Sequence, residues 1–568
     1  MKVYVSGSNQ PINLEQKDFV FGGGEGNVFI KGDIAYKIYH NPSKTIEPAR
    51  ITELQDIDFK NVIKPEKLIL DENSKPIGYT MKAVHNTIPL SRLFTTEFRI
   101  QNNINEEQIY KLLQRIRETV NHLHEKNILI VDGNEMNYLV SEDFSEVFFI
   151  DVDSYQTRSF PAKAYSDSTL DPQVDSTRLN FSKKSDWFAF GIIACQLLLG
   201  IHPFKGTYKG TSCVFKRGDI TARMKKNKSI FNANVKVNNA VRDFTTIPNE
   251  YLNWFESIFE LGNREPAPLY ASKTIVAGII NKQCQSNTLD VTEILSLDNP
   301  FVCLYSYQQE VAWKTTRSFL LNGKELNYKN PDTHVVFSPR TLTPLLIKTE
   351  NGELQVFNTY TNEISKEQLE LKKCFVYQNR IYGISNGHIH EIGIIESNNK
   401  VLIVINTSDP IMPLATECFE NVLVQHMMGA IYFSIPFASG SMTQIRIKEV
   451  EGKKVLNAKF ENGLLGIIWY EKGLYKKALV KFNAGYTKYE IFQLSETDDL
   501  SFNFVVLDNG IVVDIPQDGE IQIFDSAIGK DNVKKVIDTN NNNQFKLAHQ
   551  GMSLIGFNNK KAFKLKMK

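Results

Sequence analysis

The sequence predicts a multi-domain chain: an α+β half over residues 1–275, a linker over 276–300, and an all-β half over 301–568. Three observations predict it. A chain of 568 residues is too long for one ordinary core. Helix-like and strand-like segments mix before residue 275, and helical periodicity nearly vanishes after residue 300. Turn residues then recur at Gly323, Gly352, Gly387, Gly440, Gly473, Gly519 and Asn559, 29 to 53 residues apart and about 39 on average. That average is near the length of a propeller blade, so the second half is read as a β-propeller. A β-sandwich or a pair of them is the alternative.

The elements follow in order. "DFVFGGGEGNVFIKGDIAYKIYH" reads as strand, glycine turn, strand, turn, strand. "PARITELQDI" is helix-like. "NEEQIYKLLQRIRETVNHLHEK" carries Ile109, Leu112, Leu113, Ile116 and Val120 on one helical face. "SDWFAFGIIACQLLLG" is apolar all round and predicts a central helix, with Ser185 or Asp186 available to cap it and Gly200 to end it. "NEYLNWFESIFELG" predicts another. Beyond residue 300, runs such as "PLLIKTENGELQVFNTY" and "FVVLDNGIVVDIPQDGEIQIFD" are strands around Asn-Gly and Asp-Gly turns, and "NKKAFKLKMK" is a last strand.

Composition narrows the function classes. Apolar residues make up 42% and aromatic residues 11%, enough for sizeable cores. Lys plus Arg total 65 against 64 Asp plus Glu, so global charge gives no reason to expect nucleic acid or an anionic membrane as partner. Six scattered cysteines suggest a reducing compartment. The N-terminus lacks the apolar core of a signal peptide, and the longest apolar run, Trp187 to Ile201, is too short to span a bilayer. A cytoplasmic protein is expected.

Four segments suggest chemistry. The turn holding Gly22, Gly23, Gly24, Glu25 and Gly26, followed by Val28, can fold its N–H groups over phosphate. Lys37 lies in an otherwise apolar strand and needs an anionic partner: a nucleotide phosphate or a helix glutamate, Glu53 first and Glu47 second. In "ILIVDGNEMNYLV", Asp132 can accept a proton from a hydroxyl, and Asn137 can offer an amide oxygen to a divalent cation. "VFFIDVDSYQ" then puts Asp151 and Asp153 at the exit of a core strand. Magnesium favours oxygen ligands, few of them from protein, and Asn137 with Asp151 fits that pattern.

Glycine loop, strand lysine, helix glutamate, D-x4-N and strand-exit Asp, in this order, resemble the protein kinase fold. "SDWFAFGIIACQLLLGIHPF" is similar to the large-lobe helix that runs from Asp-x-Trp to His-Pro-Phe. "IDVDSYQ" with "DGNEMN" resembles a bacterial Ser/Thr kinase-like family that carries I-D-x-D-S-[FY]-Q in place of D-F-G, some members of which are fused to helix-hairpin-helix modules. The resemblance spans residues from about 15 to 275. It implies a small lobe over about 1–90, a large lobe over about 91–275, and ATP and Mg2+ as cofactors. It makes Lys37, steered by Glu53, the phosphate-holding lysine, Asp132 the residue that orients a Ser or Thr hydroxyl, and Asn137 and Asp151 the metal ligands. Asp186 becomes a structural tie to the catalytic loop. Asp153 orders the following loop or contacts a second metal. Partners of the tellurite-resistance type, a phosphatase or a von Willebrand factor-type protein from the same operon, are implied as well.

The departures bear on regulation. The glycine loop is one residue short, Val131 stands where most kinases have Arg, and Asp171-Pro172-Gln173 lacks the Glu of Ala-Pro-Glu. Two further readings stay open: a nucleotide-binding pseudokinase scaffold whose propeller mediates protein interactions, and a small-molecule kinase.

Overall fold

The computed structural model describes residues 1–567 except 163, 176–177, 217–218, 238–240, 270–288, 322, 398–399, 428, 438–440, 472, 498, 516–519, 526–533, 538–544 and 559. The chain begins with strands β1 (Lys2–Val5), β2 (Pro11–Asn13), β3 (Phe19–Gly22), β4 (Gly26–Lys31) and β5 (Ile34–Tyr39), then helix α1 (Pro48–Leu54), then β6 (Lys67–Leu70) and β7 (Pro76–Lys82). They form one antiparallel sheet in the order β2-β1-β6-β7-β5-β4-β3. Alternation sorts its side chains to two faces. Val3, Phe19, Phe29, Tyr36 and Ile69 pack against Met412 and Ala415 of the C-terminal half, while Tyr39 and Tyr79 join Ile51 and Leu54 of α1 in the main core.

A helical region follows. It holds α2 (Thr96–Gln101), α3 (Glu106–Glu125), α4 (Lys183–Leu199), α5 (Ile220–Lys225) and α6 (Asn249–Phe259), with a small sheet of β8 (Thr87–Pro89), β9 (Tyr138–Ser141) and β10 (Val147–Phe149) in the order β10-β9-β8. The five apolar positions read on α3 are all buried. From Trp187 to Leu199, α4 is buried all round, so it runs through the core of this region. Its crossing with α6 is close: a Cβ on Gly191 would lie 2.5 Å from Ile258 Cδ1. Gly200 ends α4 in the left-handed conformation at φ 80°, as expected. The cap differs from expectation. Ser182, not Ser185 or Asp186, is the N-cap, in a reciprocal capping box with Ser185. Asp186 is thereby released for another task.

The C-terminal half is all β. Its described residues form seven four-stranded antiparallel sheets. The first six are consecutive in sequence, spanning 301–327, 334–367, 372–410, 416–446, 454–497 and 504–537. The seventh combines 546–567 with a strand from the other end of this half: Leu289–Ser296 pairs antiparallel with Lys561–Met567. This corrects the expected linker over 276–300, because residues 289–296 belong to a sheet. The partner strand is the last in the chain, so no local pattern marks the pairing.

The first strands of neighbouring sheets touch from the first sheet through the fifth, and Lys546–Gln550 of the seventh touches the first strands of both the sixth and the first. Asparagines clasp sheet to sheet. Asn379 donates to Phe337 O at 2.8 Å, Asn421 to Phe460 O at 3.1 Å, Asn462 to Val506 O at 3.1 Å, and Asn503 to Phe545 O at 2.7 Å. Each clasp satisfies a main-chain carbonyl that neighbouring strands cannot reach. Gly352, Gly387 and Gly473 occupy the same turn of their sheets, between second and third strands, at φ 78°, 75° and 79°. Gly323 lies one hairpin later, between third and fourth strands, and Gly440, Gly519 and Asn559 lie outside the described residues. Among the described residues no helix is long and apolar enough to cross a membrane.

Candidate active site

The β3–β4 turn carries the glycines. A Cβ on Gly26 would sit 2.3 Å from Ile38 O, so only glycine lets β4 lie this close to β5. Gly23 N donates to Gly26 O at 2.9 Å, and the His40 ring meets Gly23 O at 2.9 Å, which pins the turn to the end of β5. In register with Val28, Lys37 projects from β5.

Lys37 is buried, and its ammonium lies 2.8 Å from Asp151 and 3.1 Å from both carboxylate oxygens of Asp153. Burial works to neutralise the ammonium. Asp153 and Asp151 outweigh it, so the pKa of Lys37 is raised and the charge is secure. Asp153 also accepts from Tyr39 Oη at 2.6 Å and Tyr79 Oη at 2.7 Å. Burial opposes its charge, but Lys37 and the two phenols hold its carboxyl below the usual range.

Two expectations change here. Glu53 is not the partner of Lys37. It points away and accepts from Ser159 N at 3.2 Å. The α1 side chain that turns inward is Arg50, which is buried and donates to Tyr155 O at 2.5 Å. Asp153 takes the lysine-anchoring position instead. Both its oxygens are engaged, by Lys37 and by the two phenols. The signal for it was the second acid of I-D-x-D, two residues after Asp151; Tyr39 and Tyr79 gave none.

Asp132 follows a strained bend. Val131, β-branched, sits at φ 63°, in the left-handed region such residues avoid. Asp186 holds the bend: its carboxylate accepts from Ile130 N at 2.8 Å and Val131 N at 2.9 Å, and meets the His124 ring at 3.0 Å. This is the structural tie expected of Asp186. Asp132 accepts from Asn134 Nδ2 at 2.8 Å and from Asn137 Nδ2 at 3.3 Å. Burial raises its pKa, and the two amides offset the rise only in part.

The amide nitrogen of Asn137 also donates to the Asp132 main-chain O at 2.8 Å. Its amide oxygen has no hydrogen bond among the described residues. Asp151, left-handed at φ 59°, keeps a half-exposed carboxylate, 50% accessible. A hard cation would find two oxygen donors here. No cluster of three His, Cys, Asp or Glu suited to a metal exists among the described residues, so the rest of its shell would come from water or a phosphate ligand, as magnesium prefers.

Gly23, Gly24, Glu25, Gly26, Lys37, Asp132, Asn137, Asp151 and Asp153 all line one end of a long cavity of about 2430 Å3 that continues among the C-terminal sheets past Val335, Ile384 and Phe557. Apolar Val28, Ala35, Met81, Leu139 and Ile150 line it too, which suits a flat, apolar ligand surface beside the charged end. The C-terminal half forms the other wall. Arg92 reaches Glu417 at 3.3 Å and stacks 4.0 Å over Phe419, Ser166 meets Tyr470 Oη at 2.9 Å, Tyr475 bonds Glu135, and Lys546 pairs with Glu97. Phe21, in β3, lies 5.6 Å from the His426 ring.

The missing Glu after Asp171-Pro172 is also explained. Asp171 itself receives Arg264, through two bonds of 2.7 Å. The chain matches no protein-family model and no curated protein sequence.

Proposed function

We propose that this protein is an ATP- and Mg2+-dependent Ser/Thr protein kinase. In this reading the N-terminal half is a bilobal kinase-like fold, and the C-terminal half is a seven-bladed β-propeller, its last blade closed by Leu289–Ser296, that recruits a protein partner. The observation that carries the reading is the meeting of Lys37, Asp132, Asn137 and Asp151 with the glycine turn in one cavity, although they are scattered over more than a hundred residues of sequence. The first-strand contacts, with the Asn462 clasp joining the fifth sheet to the sixth, and the other Asn clasps support the propeller.

Phosphoryl transfer asks mainly for positioning and charge neutralisation. Val28, Ala35, Met81, Leu139 and Ile150 would enclose the base. Lys37, steadied by Asp153, would hold the α- and β-phosphates. Asp151 and Asn137 would hold Mg2+, which neutralises phosphate charge and draws electrons from the bond that breaks. Because Asp153 anchors Lys37 independently, Asp151 is free to turn from Lys37 to the cation. Asp132 orients the acceptor hydroxyl. Its oxygen bonds to the γ-phosphorus as the bond from that phosphorus to the β-phosphate oxygen breaks; ADP leaves, and the hydroxyl proton passes to Asp132. Such a protein would work in a cytoplasm that supplies ATP.

The test is incubation of the full chain with labelled ATP and magnesium. Wild type becomes labelled on Ser or Thr, and Lys37→Ala abolishes the label. Wild type that binds ATP without transferring phosphate would overturn the kinase and leave the scaffold.

A further inference from the structure

We infer that Lys454, from the first strand of the fifth C-terminal sheet, is part of the phosphate site and faces the terminal phosphate of the bound nucleotide. The inference rests on the kinase reading above and adds that the site is built by both halves of the chain.

Lys454 lines the same cavity as the glycine turn, Lys37, Asp132 and Asp151. It starts the strand Lys454–Glu461, and its ammonium lies 5.9 Å from the Phe21 ring in β3, the strand that leads into the glycine turn. The turn is close to this half on another side as well: a Cβ on Gly22 would come within 3.6 Å of the Gly429 main-chain N.

Its neighbours are occupied and it is not. Lys453 pairs with Glu471, and Lys459 pairs with Glu420 at 2.9 Å and Glu461 at 3.5 Å. Among the described residues the Lys454 ammonium meets the Phe21 ring but has no carboxylate partner and no hydrogen bond. Burial depresses its pKa, while Glu417, Asp151 and Glu135 act on it through space and favour its charge. A half-buried ammonium that has an aromatic face beside it but no anionic partner is suited to a ligand that supplies one.

Charge in the cleft supports the assignment. Lys37 is already shared between two carboxylates, and Asp132 adds a third. A magnesium-bound triphosphate brings negative charge that Lys37 alone does not match. In phosphoryl transfer, a cation supplied from outside the nucleotide lobe stabilises the charge that spreads over the transferring group. Lys454 is placed to do this from the C-terminal half.

The experiment compares full-length wild type, Lys454→Met, Lys454→Arg and Lys476→Met, the last a lysine paired on the surface with Glu496. Single-turnover transfer and the affinities for Mg-ATP and Mg-ADP are measured separately. Lys454→Met is expected to slow transfer by about 100-fold or more, and to weaken Mg-ATP binding more than Mg-ADP binding. Lys454→Arg should restore most of both, and Lys476→Met should match wild type. If Lys454→Met fails to fold, Lys454→Gln is taken through the same readouts. Wild-type transfer with unchanged transfer and unchanged ATP-over-ADP preference in Lys454→Met overturns this inference alone. Wild type that binds no nucleotide overturns the kinase reading and this inference with it. Wild type that binds but does not transfer overturns the kinase, and the ATP-over-ADP preference still decides whether Lys454 meets phosphate.

Discussion

In the cleft, Lys37 divides its ammonium between Asp153, with 8% of its side chain accessible, and Asp151, with 50% accessible. At the base of the helical region, Arg264 gives Asp171 two parallel bonds of 2.7 Å with both side chains 3% accessible, and its guanidinium lies 4.4 Å over the Phe188 ring. Both clusters bury a cation among carboxylates. The Arg264 guanidinium makes four hydrogen bonds within the protein, two of them to Asp171, and both side chains are closed off from solvent. The Lys37 cluster has one carboxylate more than its cation needs, and that carboxylate faces the cavity. A closed pair suits a structural role, and an over-supplied, half-open one suits a site that exchanges partners. The choice of residue fits. Arg's planar fork makes two bonds to one carboxylate, whereas Lys's point charge can be shared and redirected.

The sharpest way to break this comparison is at Asp132. Asp132→Ala should lower phosphoryl transfer by about 10²–10⁴-fold, while urea midpoints stay close to wild type; a matching collapse of stability would mean that the cleft, like the Arg264 pair, is structural. Arg264→Ala should do the reverse. Leaving Asp171 buried without a partner should cost about 3–5 kcal/mol of stability, read by urea unfolding, with Mg-ATP affinity unchanged at temperatures where the variant is folded.

A third variant pair tests which acid anchors Lys37. Asp153→Asn should lower both stability and Mg-ATP affinity, because one acceptor oxygen becomes an NH2 donor facing a phenol and the lysine, and Lys37 loses a charged partner. Glu53→Gln, half-buried and bonded to the 157–159 loop, should change stability by less than about 0.5 kcal/mol and leave binding intact. Equal effects of the two would return the anchoring role to the helix.

The smallest effect is in pH. The Asp132 carboxyl must be ionised to take a proton, and burial raises its pKa above the ordinary 3.8. On acidification, the rate should therefore begin to fall at a higher pH than for an exposed aspartate. The stability sign is opposite. The folded state holds this proton more tightly than the unfolded chain, so the contribution is fully present below the unfolded pKa and is lost as pH rises through the folded one. Asp132→Asn should remove that slope from a pH series of unfolding midpoints.

Much of this was legible in local sequence. The five buried positions of α3, the all-round apolar α4 with its Gly200 stop, and the strand–turn–strand around Gly22 to Gly26 each follow from the side-chain period of a single element. The spacing from Asp132 to Asn137 and on to Asp151 likewise marks one loop and the exit of one strand. The misses share a different cause. Helix glutamates are natural partners for such a lysine, which favours Glu53 on local grounds, yet after Asp151 a 3-10 turn over Val152–Ser154 swings Asp153 onto Lys37 first. Ser182 took the cap of α4 because Asp186 was needed by the main chain at Ile130 and Val131.

By itself, then, the sequence determined which segments are helix or strand, where the all-β texture begins, and which polar side chains stand apart from a core. These depend on periodicity and turn chemistry acting within about twenty residues. Only the tertiary structure decided that Asp153 anchors Lys37, that Asp171 receives Arg264, that Leu289–Ser296 pairs with the final strand, and that Lys454 borders the same cavity as the glycine turn. Each of those is a meeting of residues about ninety or more positions apart, and which partners meet is settled by how whole sheets and helices pack, a property no local pattern carries.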